Sequence, residues 1–217
     1  MNAVSQMDWD IIEARVNAAQ QRQSSPTKSI AFLSIVVEQI FPGTEELLPE
    51  LITDGSDDRG VDGIHIIEGD VNADVFIFQS KYRESHATCQ KTINDAEILK
   101  ISLFLNELFD KADALAQCNN FRLKQIVQRI WDLHDKGKIC RYHAIFCSNG
   151  GGFSLSAQKI IETTCQNFSS VVFEFYGTPQ VIAAMSLEGR KPESGQLQVI
   201  GKEILERSDG DVRGVIA

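Results

Sequence analysis

Two neighbouring stretches of sequence decide the fold: residues 53–64 read TDGSDDRGVDGI, and residues 75–82 read VFIFQSKY. The second stretch predicts a buried strand, whose side chains alternate between two faces. One face of this strand carries Val75, Ile77, Gln79 and Lys81. A lysine on a buried face is costly unless an anion pairs with it, and Asp62 is the predicted anion. A carboxylate next to Gln-x-Lys on adjacent strands indicates a site for a hard cation and an anionic substrate.

The composition bounds the class of protein. The chain has 217 residues, of which 43% are hydrophobic, enough for one sizeable core. The net charge of −9 argues against nucleic-acid binding through a broad basic surface. A nucleic-acid function therefore needs a bound cation, a local basic surface or a basic partner domain. No apolar run reaches membrane-helix length, and the start lacks signal-peptide features. The five scattered cysteines predict reduced thiols in a cytoplasmic protein, without a cysteine zinc site.

Hydrophobic periodicity and turn signals predict alternating helices and strands. The predicted helices cover 7–22, 28–41, 88–110, 121–136, 154–167 and 178–186, with a further helical turn at 45–49. The predicted strands cover 51–53, 61–67, 74–82, 141–147 and 171–176. A turn at 68–70 makes the strands at 61–67 and 74–82 a hairpin. This order predicts an α/β fold, with a mixed sheet flanked by helices.

The two stretches resemble the amino-terminal nuclease domain of the abortive-infection phage-resistance (AIPR) proteins. Those proteins carry a run of the type ITDGxxDxGIDxI followed by IFQSKY, and here residues 52–64 read ITDGSDDRGVDGI and residues 77–82 read IFQSKY. The resemblance covers roughly residues 30–85. It places the chain near the Mrr-like members of the PD-(D/E)XK superfamily, in which glutamine precedes the lysine. It implies a restriction-endonuclease-like core of order α-β-β-β-α-β, with extra helices.

The resemblance and the chain pattern together predict three parts. Residues 1–27 form an amino-terminal helix and linker, residues 28–187 the PD-(D/E)XK nuclease-like domain, and residues 188–217 a linker and the start of a carboxy-terminal region. AIPR proteins are longer than this chain, so the resemblance implies that a further carboxy-terminal region follows. The linker is expected at 188–196, and the segment 210–217 is typical of an opening strand.

The resemblance also implies a function, that of a metal-dependent endonuclease in a phage-defence (abortive-infection) protein. It would hydrolyse phosphodiester bonds with Mg²⁺ or Mn²⁺ as cofactor. Asp62, the Gln79 side-chain oxygen and the Ser80 carbonyl would hold the metal, and Lys81 would contact the phosphate or orient the attacking water. Glu38, on the first core helix, is the expected fourth member of the site. DNA is the expected substrate, while RNA as substrate and a homodimer stay open.

Each candidate residue also has a structural explanation. Asp62 is also explained as a loop carboxylate that caps its own turn, Lys81 as an exposed lysine at a strand end, and Glu38 as a solvent-exposed helix residue. Asp58 either supports a second cation or closes the turn through Gly60, the latter being favoured.

Two other functions stay open at this stage. One is a nuclease-fold module that binds nucleic acid or a protein partner without cutting. The other is a doubly wound nucleotide binder that uses the glycine-rich turn at 148–152 as a phosphate cradle. For that turn we favour a flexible connector, and a hairpin inside the sheet would exclude the nucleotide binder.

Overall fold

The computed structural model describes residues 4–23, 27–187, 205–209 and 212–216, with side chains for 4–23 and 27–186. The chain divides into a compact unit that ends at Ser186 and a second unit, Leu187–Ala217. The predicted linker at 188–196 lies outside the described residues. In the part of the chain described, no helix combines the length and the apolar character needed to cross a membrane.

Helices and strands alternate through the first unit. The helices are α1 (Gln6–Gln23), α2 (Lys28–Ile40), α3 (Leu48–Leu51), α4 (His86–Cys89), α5 (Asp95–Phe109), α6 (Asp113–Ala116), α7 (Phe121–Asp135), α8 (Leu155–Asn167) and α9 (Thr178–Leu187), with a 3-10 helix at Glu45–Leu47. The strands are β1 (Gly63–Glu68), β2 (Asn72–Lys81), β3 (Ile139–Ser148) and β4 (Val171–Gly177). In the second unit, β5 (Leu205–Asp209) pairs with β6 (Val212–Ile216) in an antiparallel hairpin.

The first unit contains a four-stranded sheet in the order β1-β2-β3-β4. The pair β1–β2 is antiparallel, whereas β2–β3 and β3–β4 are parallel. This confirms the predicted α/β class with a mixed sheet flanked by helices. The predicted hairpin is part of the sheet, with β1 as an edge strand.

The prediction of a strand at 51–53 was wrong. Leu51 ends α3, and Ile52 makes a single isolated bridge to Gly63. The reason lies in Thr53, whose hydroxyl donates to the Val61 carbonyl at 2.5 Å and whose amide donates to the Asp62 carbonyl at 3.0 Å. These bonds turn the chain into the following loop before a strand can extend.

The sheet divides the core into two clusters, as the alternation of side chains along β2 predicts. Val75 and Ile77 belong to a cluster that contains the buried faces of α5 and α7. Phe78 belongs to a cluster on the other face, which contains the buried residues of α1 and α2. Gln79 and Lys81 follow Val75 and Ile77 on the first face, so their side chains are directed to the side of the sheet where α5 lies.

The helix predicted at 88–110 is interrupted. After α4 the chain leaves helical geometry, and α5 begins after Asn94, whose side-chain oxygen accepts from the Glu97 amide at 3.3 Å. Side-chain oxygens of this kind satisfy amides that a helix start leaves unpaired. Glu97 therefore lies in the first turn of α5 and not in the middle of a long helix.

Two polar residues at the end of β3, Ser148 and Asn149, fix the end of β2. The buried side chain of Asn149 accepts from the Arg83 amide at 2.6 Å and donates to the Arg83 carbonyl at 2.9 Å. The Ser148 hydroxyl donates to the Lys81 carbonyl at 3.0 Å. Because both contacts reach the backbone around Lys81, they set where this lysine leaves the sheet.

Replacing Asn149 with alanine is expected to destabilise the fold by about 1–3 kcal/mol, because the Arg83 amide and carbonyl lose their partner. The measurement is urea denaturation of the full chain. Asn167→Ala, at the exposed end of α8, serves as the matched control and should stay within about 0.5 kcal/mol of the unmodified chain. Equal stabilities for the two variants would contradict a structural role for Asn149.

Candidate functional site

Asp62 lies at the open end of the β1–β2 hairpin, one residue before β1. Its amide donates to the Phe78 carbonyl at 2.9 Å, and its carbonyl accepts from the amides of Thr53 and Asp54 at 3.0 and 3.2 Å. The backbone of this residue is therefore bonded both to β2 and to the start of the preceding loop. Its position relative to β2 is fixed by main-chain contacts, independently of its side chain.

The Asp62 carboxylate faces the polar end of β2. Its Oδ2 accepts from the Ser80 amide at 2.5 Å and from Gln79 Nε2 at 3.5 Å. The structure thus brings together Asp62, Gln79 and Ser80, three of the residues selected from the sequence. Its carboxyl also lies beside those of Asp54 and Asp58, with one oxygen of each within 4.8 Å of the others.

Burial raises the pKa of Asp62 from its ordinary value of 3.8 to about 7. The hydrogen bond from the Ser80 amide acts in the opposite direction, but the charges of Asp54, Asp58 and Glu97 raise the pKa further. Burial and the charge of Asp58 also raise the pKa of Asp54. The acidic loop is therefore under mutual repulsion that a bound cation would relieve.

Gln79 supplies the test of whether the site fits a metal ion. The side chain is 7% exposed, and its Oε1 is buried without a hydrogen-bond partner among the described residues. A buried acceptor that lacks a donor is costly, unless something outside the chain satisfies it. An amide oxygen is of the ligand type that Mg²⁺ and Mn²⁺ prefer, and the nitrogen of the same amide lies 3.5 Å from the Asp62 carboxylate.

The anion that pairs with Lys81 differs from the predicted one. Lys81 Nζ lies 2.8 Å from Glu97 Oε1, and the lysine side chain is 39% exposed while that of Glu97 is 12% exposed. Sequence reasoning assigned this role to Asp62. It missed Glu97 because the predicted helix 88–110 ran through the break that brings this residue to the strand end. The available signal was Asn94 three residues before Glu97, the spacing of a helix start.

Glu97 is held in its charged form by two lysines. Burial acts to raise its pKa, but the hydrogen bonds and charges of Lys81 and Lys100 outweigh burial and leave the pKa lowered. The second carboxylate oxygen lies 3.3 Å from Lys100 Nζ. One buried carboxylate therefore bridges two ammonium groups next to Asp62.

Glu38, the remaining residue selected from the sequence, does not join this group. Its carboxylate accepts from Gln23 Nε2 at 2.7 Å and from Arg22 Nη2 at 3.2 Å, at the α1–α2 contact. Helix α2 packs on the face of β2 that carries Phe78, opposite to the face of Gln79. The structure thus gives Glu38 a contact between helices on the other side of the sheet.

The loop between Thr53 and Asp62 is held in a fixed shape. Asp58 closes it, as favoured from the sequence, by accepting from the Gly60 amide at 2.8 Å and the Gly55 amide at 3.3 Å. Asn120, which caps α7, donates to the Thr53 carbonyl at 2.7 Å. The acidic side chains are therefore carried by a loop that is tied to a helix start.

The glycine-rich turn at 148–152 packs against the chain, and two of its amides are bonded within the chain. The Gly150 amide donates to Ser148 Oγ at 3.0 Å, and the Gly151 amide donates to the Cys89 carbonyl at 2.9 Å. A β-carbon on either glycine would lie 3.2 Å from a backbone carbonyl oxygen. Close approach of two backbones explains these glycines, and their two amides already have partners, which speaks against the phosphate cradle considered from the sequence.

Comparison with known proteins adds no assignment: no family model, no curated protein and no solved structure matches the chain.

The pKa of Asp62 gives a prediction about stability. Between about pH 4 and pH 7 the folded chain binds the proton that the unfolded chain has lost, so the stability contributed by this group falls as pH rises through that window. Carbon-detected NMR titration of the Asp62 carboxyl should show a midpoint of about 7 without divalent cations. In Asp58→Asn the midpoint should fall, because one like charge is removed, whereas Asp132→Asn on α7 should leave it in place. A midpoint at the ordinary value would contradict this description of the carboxyl.

Proposed function

We propose that this chain is a metal-dependent nuclease domain that hydrolyses phosphodiester bonds, with DNA as substrate. We further propose that its sheet and helices form a restriction-endonuclease-like core of the PD-(D/E)XK superfamily, and that it serves phage defence as an AIPR-type protein. The fold class and the residue pattern of 52–64 and 77–82 support the assignment. The observation that carries it is the Asp62 carboxylate bonded to the Ser80 amide at the end of β2, between Gln79, whose Oε1 has no partner among the described residues, and Lys81, whose ammonium group pairs with Glu97.

The proposed chemistry assigns one task to each of these side chains. Asp62 and Gln79 Oε1 would hold Mg²⁺ or Mn²⁺, with the Ser80 carbonyl as a further ligand. When bound, such an ion polarises a phosphate oxygen and lowers the pKa of water. Lys81 would leave Glu97 to neutralise charge that develops on the phosphate, a role of an electrostatic donor aimed at the transition state. The exposed part of Lys81 makes this movement available.

The alternative is a nuclease-fold module that binds nucleic acid or a protein partner without cutting. Two observations favour it: the position before Lys81 holds neutral Gln79, and the Asp62 carboxyl has its pKa raised to about 7. Both weaken the attraction of the site for a cation at neutral pH. The two functions differ in one measurable respect, which is cleavage that depends on a divalent ion.

Asp62→Asn and Lys81→Ala are each expected to reduce cleavage of plasmid DNA in Mg²⁺ or Mn²⁺ by at least about 100-fold, with the fold retained. Loss of Asp62 removes the anionic ligand of the ion, and one electrostatic donor is typically worth about 10²–10³ in rate. Gel analysis of cleavage over time makes the measurement, and thermal unfolding checks the fold. Lys159→Ala, an exposed lysine on α8, and Glu38→Gln are the matched controls and should cut like the unmodified chain.

The outcomes separate the candidates. A full chain that binds DNA but does not cut it in either ion supports the non-cutting module. Cleavage by Asp62→Asn or Lys81→Ala at the unmodified rate would remove the proposed centre. A loss in Glu38→Gln without unfolding would return Glu38 to the site.

Gln79→Glu should tighten the binding of Mg²⁺ or Mn²⁺, since a hard cation prefers a carboxylate to an amide oxygen at nearly the same shape. Activity need not rise, because the added charge also repels the phosphate. Isothermal titration calorimetry of both ions into the two forms tests this, with Gln158→Glu on the exposed surface of α8 as the control for added charge alone. Equal or weaker affinity in Gln79→Glu would mean that Gln79 is not a ligand.

A further inference from the structure

A second lysine belongs to the environment of Lys81. Glu97 contacts Lys81 Nζ through Oε1 at 2.8 Å and Lys100 Nζ through Oε2 at 3.3 Å. Both ammonium groups therefore lie within 3.3 Å of one carboxylate, on the side of the sheet that faces α5. The carboxylate neutralises one of the two positive charges, so the group of three keeps a net positive charge beside the acidic loop.

Gly60 gives Lys100 its position over this loop. A β-carbon on Gly60 would lie 2.9 Å from Lys100 Cβ, 3.0 Å from Lys100 Cδ and 3.3 Å from Gln79 Oε1. The aliphatic part of Lys100 thus packs on the backbone two residues before Asp62, close to the unpaired oxygen of Gln79. Gly60 also has a φ of 77°, which a side chain would strain. The missing β-carbon of Gly60 therefore leaves room for the Lys100 side chain.

The two lysines differ in how firmly they are held. Lys100 is 54% exposed, compared with 39% for Lys81, and its contact with Glu97 is the longer one. Exposed ion pairs contribute little to stability, so Lys100 can exchange Glu97 for another anion at small cost. In the part of the chain described, its Nζ has no other hydrogen bond or ion pair.

We propose that Lys100 binds a second phosphate of the substrate, next to the phosphate that Lys81 contacts. This inference rests on the proposed function and assigns a second contact point to its polynucleotide substrate, in which phosphates follow one another along a strand. Glu97 acts as a positioning residue, since it keeps the two ammonium groups together before the substrate arrives. The pair of lysines also supplies the local basic surface that a chain of net charge −9 needs in order to approach nucleic acid.

Lys100→Met tests this inference, because methionine keeps an unbranched aliphatic stem over Gly60 and removes the charge. Affinity for a fluorescently labelled DNA duplex is measured by anisotropy across a series of salt concentrations, with a chelator present so that nothing is cut. Loss of one phosphate contact should make the slope of log affinity against log salt shallower by about 0.9. If the two chains have the same affinity when extrapolated to 1 M salt, Lys100→Met should bind about 8-fold more weakly than the unmodified chain at 0.1 M. Lys159→Met on exposed α8 is the matched control and should keep the slope of the unmodified chain.

An unchanged slope in Lys100→Met would overturn the inference, as would an unmodified chain that does not bind the duplex at any salt concentration. A reduced slope in Lys159→Met of the same size would also overturn it, since the effect would then be one of total charge. Mg²⁺-dependent cleavage by the unmodified chain is scored separately. If the unmodified chain cleaves DNA and the slope of Lys100→Met is unchanged, only the role of Lys100 is refuted. If the unmodified chain binds DNA without cleaving it and the slope of Lys100→Met is reduced, the nuclease activity is refuted and the second phosphate contact stands.

Discussion

The hydrogen bond from the Ser80 amide to the Asp62 carboxylate is the contact on which the candidate site depends. It joins the residue before β1 to the last part of β2, and main-chain bonds of Asp62 to Phe78 and Thr53 hold the same junction. Gln79 and Lys81 lie on either side of Ser80 and are carried by the same strand. A carboxylate bonded to this amide therefore lies at the polar end of β2, where Gln79 Nε2 is 3.5 Å away. The remaining features of the site are arranged around that fixed point.

Strand periodicity allowed much of this arrangement to be predicted. Alternation along residues 75–82 predicted which side chains share a face, and the turn at 68–70 predicted the hairpin that brings Asp62 back to the strand. The shared face and the hairpin both depend on residues that are close in sequence, so a local sequence pattern is enough to predict them. The single bridge at Ile52 was predicted as a strand, because its apolar neighbours gave no sign that Thr53 would bond to Val61 and end the extension.

The parts that could not be predicted depend on tertiary geometry. Glu97 reaches Lys81 from the first turn of α5, which begins after Asn94, and the predicted helix 88–110 did not contain this start. Glu38 is a carboxylate on the first core helix, as expected for the site, but its side chain is taken up by a hydrogen bond from Gln23 of α1. Helical periodicity gives the apolar face of a helix, and it does not state which polar residue on the other face meets which neighbour.

The charges around Asp62 determine how its carboxyl can be stabilised. Three carboxylates act on Asp62 and raise its pKa, those of Asp54, Asp58 and Glu97. Of these three, only Glu97 has lysines against it among the residues that the structure describes, and Asp54 and Asp58 have no ion pair there. A carboxyl in this position has two ways to lower its free energy: it takes up a proton, or it binds a cation. The two compete, because a cation needs the deprotonated oxygen. On this account the affinity of the site for a divalent ion should rise with pH through the titration of Asp62. In the proposed site, an acid in place of neutral Gln79 would add a further negative charge, and this would favour binding of a divalent cation over protonation of Asp62.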